Sequence, residues 1–155
     1  MEQTYKAYYK SPIGLMEIQA TRHAITSIRF CDGRGPENSC PIIQECIVQL
    51  DEYFTGDRKD FRLNLAPEGT GFRQKVWQAL RQIPYGKTRS YQDIAIAIGN
   101  PKACRAVGAA NRDNPIPIII PCHRVIGKNG GLVGYNSGPW RKEWLLRHET
   151  GKPAR

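Results

Sequence analysis

The sequence predicts an α+β fold: a small antiparallel sheet with a helix packed on it, then a mostly helical half built around a helix-turn-helix. Three observations carry that prediction. Runs of β-formers at Thr4–Lys10, Gly14–Ala20 and Ala24–Phe30 are broken at Ser11-Pro12 and Thr21-Arg22, as in a short meander. From Pro41 onward apolar residues recur at helical rather than strand spacing. Charge, finally, divides the chain: residues 1–70 hold 8 Lys+Arg against 10 Asp+Glu, whereas residues 71–155 hold 15 against 4, a net of +11. The shift places a boundary near Ala66–Gly69, with a supporting domain over 1–66 and a second domain over 70–155. A strongly basic half points to a polyanionic partner, most often nucleic acid.

In the first half, Asp32–Ser39 is a loop of Gly, Pro and Asn. Ile42, Ile43, Cys46, Ile47, Leu50 and Phe54 mark one face of an amphipathic helix over 41–54. Tyr53 and Phe54 are assigned to packing. Thr55–Asp60 is a charged turn, and Phe61–Leu65 is expected to be a short strand. Nothing in this half signals catalysis.

In the second half Thr70 caps a helix to about Gln82, with Phe72, Val76, Ala79, Leu80 and Ile83 on one face. Pro84–Lys87 is a turn. Ser90 and Asp93 form a capping-box start for a helix through Ile94, Ala95 and Ile98 to Gly99. Asn100 and Pro101 are expected to cap and open the next helix, over Lys102–Ala110. Two short helices joined by a tight glycine turn make the helix-turn-helix pattern. The second is almost bare, because Ala103, Ala106, Gly108, Ala109 and Ala110 give it little bulk, while Lys102 and Arg105 give it charge. Such a helix brings its backbone close to a neighbour, either another helix or a nucleic-acid groove.

Prolines at 115, 117 and 121 exclude a regular helix over Asn111–Pro121. This stretch is an extended connector with set turns, and Asn114 is a natural turn residue. It delivers Cys122, with His123 and Arg124 directly after it. Cys122 is the best nucleophile in the chain: a thiol attacks as thiolate, and its unperturbed pKa of about 8.5 is lowered by positive charge or an adjacent base. The alternative is a buried structural cysteine. Gly127–Gly138 forms a glycine-rich loop beside it. Pro139 opens a last helix, Trp140–His148, with Trp144 and Leu145 in the core and Glu149 just beyond. Five cysteines without CxxC spacing argue against structural zinc; His23 with Cys31, Cys40 and Cys46 is the one set left to consider. No signal region or membrane-length apolar run is present. Free thiols then favour a reducing compartment, the cytoplasm, or the nucleus of a eukaryote.

These residues resemble one family. Tyr91 at a helix start, Pro101–Ala110, Asn114-Pro115, Ile120-Pro121-Cys122-His123-Arg124-Val125, Gly134-Tyr135 and Lys142–Glu149 together are similar to the O6-alkylguanine-DNA alkyltransferases. The motifs cover Gly71–Glu149; the first half is similar in length and element order only. The resemblance implies a ribonuclease-H-like N-terminal domain and a winged-helix-like C-terminal domain. It implies direct-reversal repair of O6-methylguanine, and of O4-methylthymine, in double-stranded DNA, by irreversible transfer of the alkyl group to Cys122. His123 would take the thiol proton through a water, Glu149 would orient His123, and Asn114 would hold the turns. The bare helix would enter the minor groove through Lys102, Ala103, Ala106, Gly108 and Ala109. Arg105 would fill the gap left by the flipped base, with Tyr91 beside the rotating phosphate. Tyr91, Pro117, Val125, Tyr135 and Asn136 would line the alkylguanine pocket.

The resemblance implies no metal and no other cofactor, no membrane and no obligate protein partner; the protein would act as a monomer, with cooperative binding along DNA left open. Asn111 and Asp113 are more polar than the family pattern, and Asn136-Ser137-Gly138-Pro139 departs from its usual loop. The absence of an N-terminal module with a second reactive cysteine argues against a transcriptional role. Three other readings compete: a lesion sensor without transfer, opposed by the intact Cys122; a sequence-specific regulator, opposed by the bare helix; and a cysteine hydrolase, for which no local signature is present.

Overall fold

The computed structural model describes residues 2–127 and 137–151, and the chain divides into two compact units, Met1–Glu68 and Gly69–Arg155. In the first unit β1 (Tyr5–Ser11), β2 (Gly14–Ala20) and β3 (Ile25–Cys31) form an antiparallel meander in that order. The β1–β2 register runs from Tyr5↔Ala20 to Ser11↔Gly14. Its two-residue turn is held by Ser11, whose hydroxyl donates to Gly14 O at 2.8 Å and accepts from Ile13 N. Period-2 alternation sends Ala7, Met16, Ile18 and Ile28 to the buried interior. Helix α1 (Pro41–Thr55) contributes Ile43, Cys46, Leu50, Tyr53 and Phe54 to the same core and ends at Gly56, whose φ of 90° suits only glycine without strain.

The expected strand at Phe61–Leu65 does not form. Only one parallel bridge, Ile25↔Leu65, joins this stretch to the sheet. The backbone of Arg62 is instead paired with a side chain: Gln49, 2% exposed, donates to Arg62 O at 3.1 Å and accepts from Arg62 N at 2.9 Å.

In the second unit α2 (Gly71–Arg81) is capped by Thr70, which accepts from Arg73 N. Val76, Trp77 and Leu80 are its buried residues, and Trp77 Nε1 donates to Ala110 O at 2.9 Å. Phe72 and Ala79, expected on the core face, are half-buried, whereas Trp77, not among the expected core residues, is buried. A two-residue strand β4 (Arg89–Ser90) leads into α3 (Tyr91–Ala97), and the Ser90/Asp93 capping box is formed.

Helix α4 spans Cys104–Arg112, later than the expected Lys102–Ala110. The reason is local. Gly99, at φ 78°, turns the chain out of α3, and Asn100 N returns to Ala95 O. Asn100 O then accepts from Ala103 N, so residues 100–103 are a turn, not a cap and first helical residue. The last helix, α5 (Pro139–Thr150), runs past its expected end and includes Glu149. Leu145 is buried, whereas Trp144 is half-buried and stacks on His148 at 5.0 Å, so Trp144 is not a core residue. Among the described residues no helix is long and apolar enough to cross a membrane.

Candidate active site

The connector after α4 is a compact knot. Asn114 Oδ1 accepts from Ile116 N at 2.9 Å, and its Nδ2 donates to Ile120 O at 2.7 Å. One amide thereby ties both ends of the Ile116–Ile120 turn, which a second bond, Ile120 N to Ile116 O, closes. Inside it Ile118 sits at φ 74°, a conformation that costs a β-branched residue about 1–3 kcal/mol. Ile116, Ile118, Ile119 and Ile120 are all buried; their packing holds the strained turn in place.

The run therefore does not continue as a strand into Cys122. Residues Cys122–Arg124 form one turn of 3-10 helix, followed by β5 (Val125–Ile126). This strand pairs in parallel with β4, Arg89↔Val125 and Ser90↔Ile126. That pairing, unforeseen from the sequence, ties the cysteine turn to the N-terminus of α3, where Tyr91 stands.

Cys122 is 4% exposed, and burial pushes its thiol up to about 11 even though the Asn114 side chain and the Lys142 charge act downward. The adjacent positive charge invoked for activation points elsewhere. Arg124 Nε and Nη2 donate to the two oxygens of Glu149 at 2.8 and 3.0 Å, and Nη1 donates to Ile83 O. His123, fully buried, meets Glu149 Oε2 through Nε2 at 2.7 Å. Gly86 N donates to Glu149 Oε1 at 3.2 Å. Burial alone would raise the Glu149 carboxyl, but the bonds from His123 and Arg124 win and hold it well below the usual carboxylate range. Burial lowers His123, so at neutral pH a neutral imidazole faces an ionised carboxylate.

The structure thus brings Cys122, His123, Asn114 and Glu149 together. Val125 and Pro117 are buried beside them in sequence. Burial, then the charge of Cys122, raises the Tyr91 hydroxyl, and a Cβ added at Gly108 would lie 3.8 Å from the Tyr91 ring. Tyr91 therefore stands between the cysteine and α4. On α4, Arg105 and Ala106 are exposed and Ala109 half-buried, while Lys102 and Ala103 precede the helix. Tyr135 and Asn136 lie outside the described residues. Among the described residues no group of three or more His, Cys, Asp and Glu is placed to hold a metal; Cys31 and Cys40 face the carbonyls of Leu15 and Thr21.

Sequence reading assigns no role to two residues of the site. Lys142 is fully buried, its ammonium donates to Val125 O, and burial pushes it down to about 8. Its signal is spacing: Lys142, Leu145 and Glu149 fall at i, i+3 and i+7, and these are the buried positions of α5. Asn111, 1% exposed, donates through Nδ2 to Cys122 O at 3.4 Å.

Comparison with known proteins agrees with this geometry. Residues 71–151 match the DNA-binding domain of 6-O-methylguanine DNA methyltransferase, and residues 4–67 match its ribonuclease-like domain. A methylated-DNA–protein-cysteine methyltransferase of Methanosarcina acetivorans is 48% identical over 94% of this chain and 97% of its own. The constitutive enzyme of that name in Bacillus subtilis is 62% identical over 61% of this chain and 58% of its own. The crystal structure of Mycobacterium tuberculosis O6-methylguanine methyltransferase superposes with a TM-score of 0.88 at 41% identity, covering 99% of this chain and 97% of that one. That of Mycobacterium tuberculosis OGT in complex with DNA gives 0.86 at 43% identity, over 93% and 91%. With both halves of the chain matched, and relatives aligned over nearly its full length, the chain belongs to the 6-O-methylguanine DNA methyltransferase family.

Proposed function

We propose that this protein repairs O6-alkylguanine in double-stranded DNA by moving the alkyl group onto Cys122, once per molecule. One observation carries the assignment: a buried cysteine turn whose neighbouring histidine is held by an ionised Glu149, on the unit that matches a DNA-binding domain. This is a nucleophile, base and orienter in sequence.

The alkyl carbon is shielded inside a duplex, so the damaged nucleotide leaves the stack, at a cost of roughly a few kcal/mol. Arg105, exposed on α4, fills the space, and the bulk-free surface of Ala106, Gly108 and Ala109 lets the helix approach a narrow groove. Lys102 takes a backbone phosphate at the turn before it, and the methyl side chain of Ala103 keeps that turn free of bulk. Cys122 Sγ attacks the alkyl carbon in line with the C–O6 bond. The S–C bond forms, the C–O6 bond breaks, and the thiol proton passes through a water to His123. Tyr91, its hydroxyl kept protonated, donates to the departing guanine. A thioether has no leaving group that water can displace, which makes the reaction stoichiometric. O4-methylthymine presents the same alkyl-oxygen bond and is the second substrate. The protein acts as a monomer on DNA.

The test is intact-protein mass after incubation with a duplex carrying one O6-methylguanine, followed by peptide mapping. A gain of one methyl, stopping at one per protein and located on the Cys122 peptide, is expected. Binding without a mass change would replace the transferase with a lesion sensor.

A further inference from the structure

Two buried side-chain atoms in the second unit have no hydrogen-bond partner among the described residues, and both belong to neighbours of Cys122: His123 Nδ1 and Asn111 Oδ1. Their chemistry is the same. Glu149 is ionised and can only accept, so the proton of neutral His123 sits on Nε2, facing it at 2.7 Å. Nδ1 is then a bare acceptor. Asn111 is oriented by its donation to Cys122 O at 3.4 Å; turning the amide over would set oxygen against oxygen, so Oδ1 is the second bare acceptor. Burying a polar atom unpaired is costly, and internal waters answer such atoms, typically with about three hydrogen bonds each.

Resting on the alkyl-transfer reading above, we infer that Asn111 is a positioning residue for proton release from Cys122: its Oδ1 and His123 Nδ1 together hold the two hydrogens of one water, whose oxygen faces the thiol. A water held by His123 alone keeps one hydrogen free and can turn its oxygen away. With both hydrogens held, the oxygen is left for S–H. The step balances. The thiol proton goes to the water oxygen, the water hydrogen on Nδ1 goes to the imidazole, and thiolate and imidazolium remain, with Glu149 holding the latter. Asn111 keeps the other hydrogen throughout and is chemically unchanged. The other titratable and charged groups facing this turn are Tyr91 from α3, Lys142 and Glu149 from α5, and Arg124 within the turn; all remain in the variants below.

The experiment reads the rate of Cys122 alkylation by iodoacetamide, a reaction that needs no guanine, across pH 7–10 in the full chain, where the rate climbs with pH toward a thiol held up at about 11. Asn111→Leu removes the acceptor at similar volume, and Asn111→Thr supplies a hydroxyl in its place. The leucine variant is expected to react about tenfold more slowly across this range, the equivalent of a thiol held about one pH unit higher, and the threonine variant to recover most of the rate. A leucine variant with the wild-type rate overturns the inference, as does a threonine variant no better than leucine. Should either variant not fold, a proton inventory on the wild-type protein decides. Two protons moving together bow the plot of rate against deuterium fraction, and a straight plot overturns the relay. A wild-type protein that takes no methyl from duplex DNA yet shows these profiles would refute the repair reading alone.

Discussion

Replacing Glu149 by glutamine keeps its shape and removes one charge from the interior. Its two oxygens receive Arg124 Nε, Arg124 Nη2, His123 Nε2 and Gly86 N at 2.7–3.2 Å. Glutamine offers one oxygen and an amide N–H2, so at least one donor is left facing another donor. Arg124 is 6% exposed, and beyond the one remaining oxygen it has, among the described residues, Ile83 O and the Tyr85 ring, 5.8 Å away. Removing one partner of a buried ion pair costs about 3–5 kcal/mol. At about 2–4 °C per kcal/mol for a chain of this size, Tm falls by about 6–20 °C. Urea unfolding at pH 7 measures the loss, and a cycle with Arg124→Met locates its origin. If the loss comes from an orphaned charge, the double variant is more stable than the sum of the singles predicts, by more than about 1 kcal/mol. Additive losses, or a single loss under about 1 kcal/mol as at a surface pair, would refute the reasoning. The pH dependence has a definite sign. Glu149 in the folded state lies below its unfolded value of about 4.3, so its contribution is complete above that pH and is lost as pH falls through the folded value. The gap between wild type and variant should hold from pH 5 to 8 and close only in strong acid.

Gly69→Ala should destabilise by about 1–3 kcal/mol through overpacking, since its Cβ would lie 2.5 Å from the Trp77 ring; an unchanged urea midpoint would show that the ring moves aside freely. Lys142, pushed down by burial from 10.5 to about 8, contributes stability that is full above 10.5 and lost as pH falls through 8. The stability of wild type relative to Lys142→Met should therefore climb between those values, the raised Cys122 and Tyr91 being present in both, as chemical denaturation of the pair across pH 7.5–10.5 would report. Arg105→Ala should slow transfer from duplex DNA by about tenfold or more, the scale of a few kcal/mol of unstacking, and leave reaction with free O6-benzylguanine nearly unchanged. Equal losses on both substrates would remove Arg105 from the base stack.

Legibility followed the range of the cause. The capping box at Ser90 and Asp93, the Ser11–Gly14 turn and the pair of hydrogen bonds of Asn114 across its own turn all involve residues within six positions, and all could be anticipated from residue type. The β4–β5 pair could not. Two residues give no period, and their partners lie on opposite sides of the helix-turn-helix. The same holds for Gln49, whose capture of Arg62 removed a strand that composition favoured. Within the site, Cys122, His123 and Asn114 stood out as chemistry beside prolines, but the direction of Arg124 is set by Glu149, distant in sequence. Lys142 and Glu149 were visible as polar residues on the Leu145 face of α5; that a carboxylate and an ammonium both tolerate burial there depends on partners no helical pattern displays.

The buried thiol settles how such a site spares its only nucleophile. At about 11, Cys122 is four units above neutral pH, so about one molecule in ten thousand carries thiolate, a deficit of about 5 kcal/mol. That looks wrong for a protein whose chemistry needs thiolate. It suits one that reacts once. A standing thiolate is oxidised and alkylated by whatever reaches it, and each such event would consume the protein. The same burial lowers His123, so the resting pair is thiol and neutral imidazole, with no charge of its own to solvate. Forming thiolate and imidazolium then places the imidazolium against a carboxylate already ionised by Arg124 and the thiolate near the Lys142 ammonium. The charges that accept the ion pair are in place beforehand, while the ion pair itself arises only by proton transfer between two neutral groups. Burial thus protects the nucleophile and readies the base by a single physical cause.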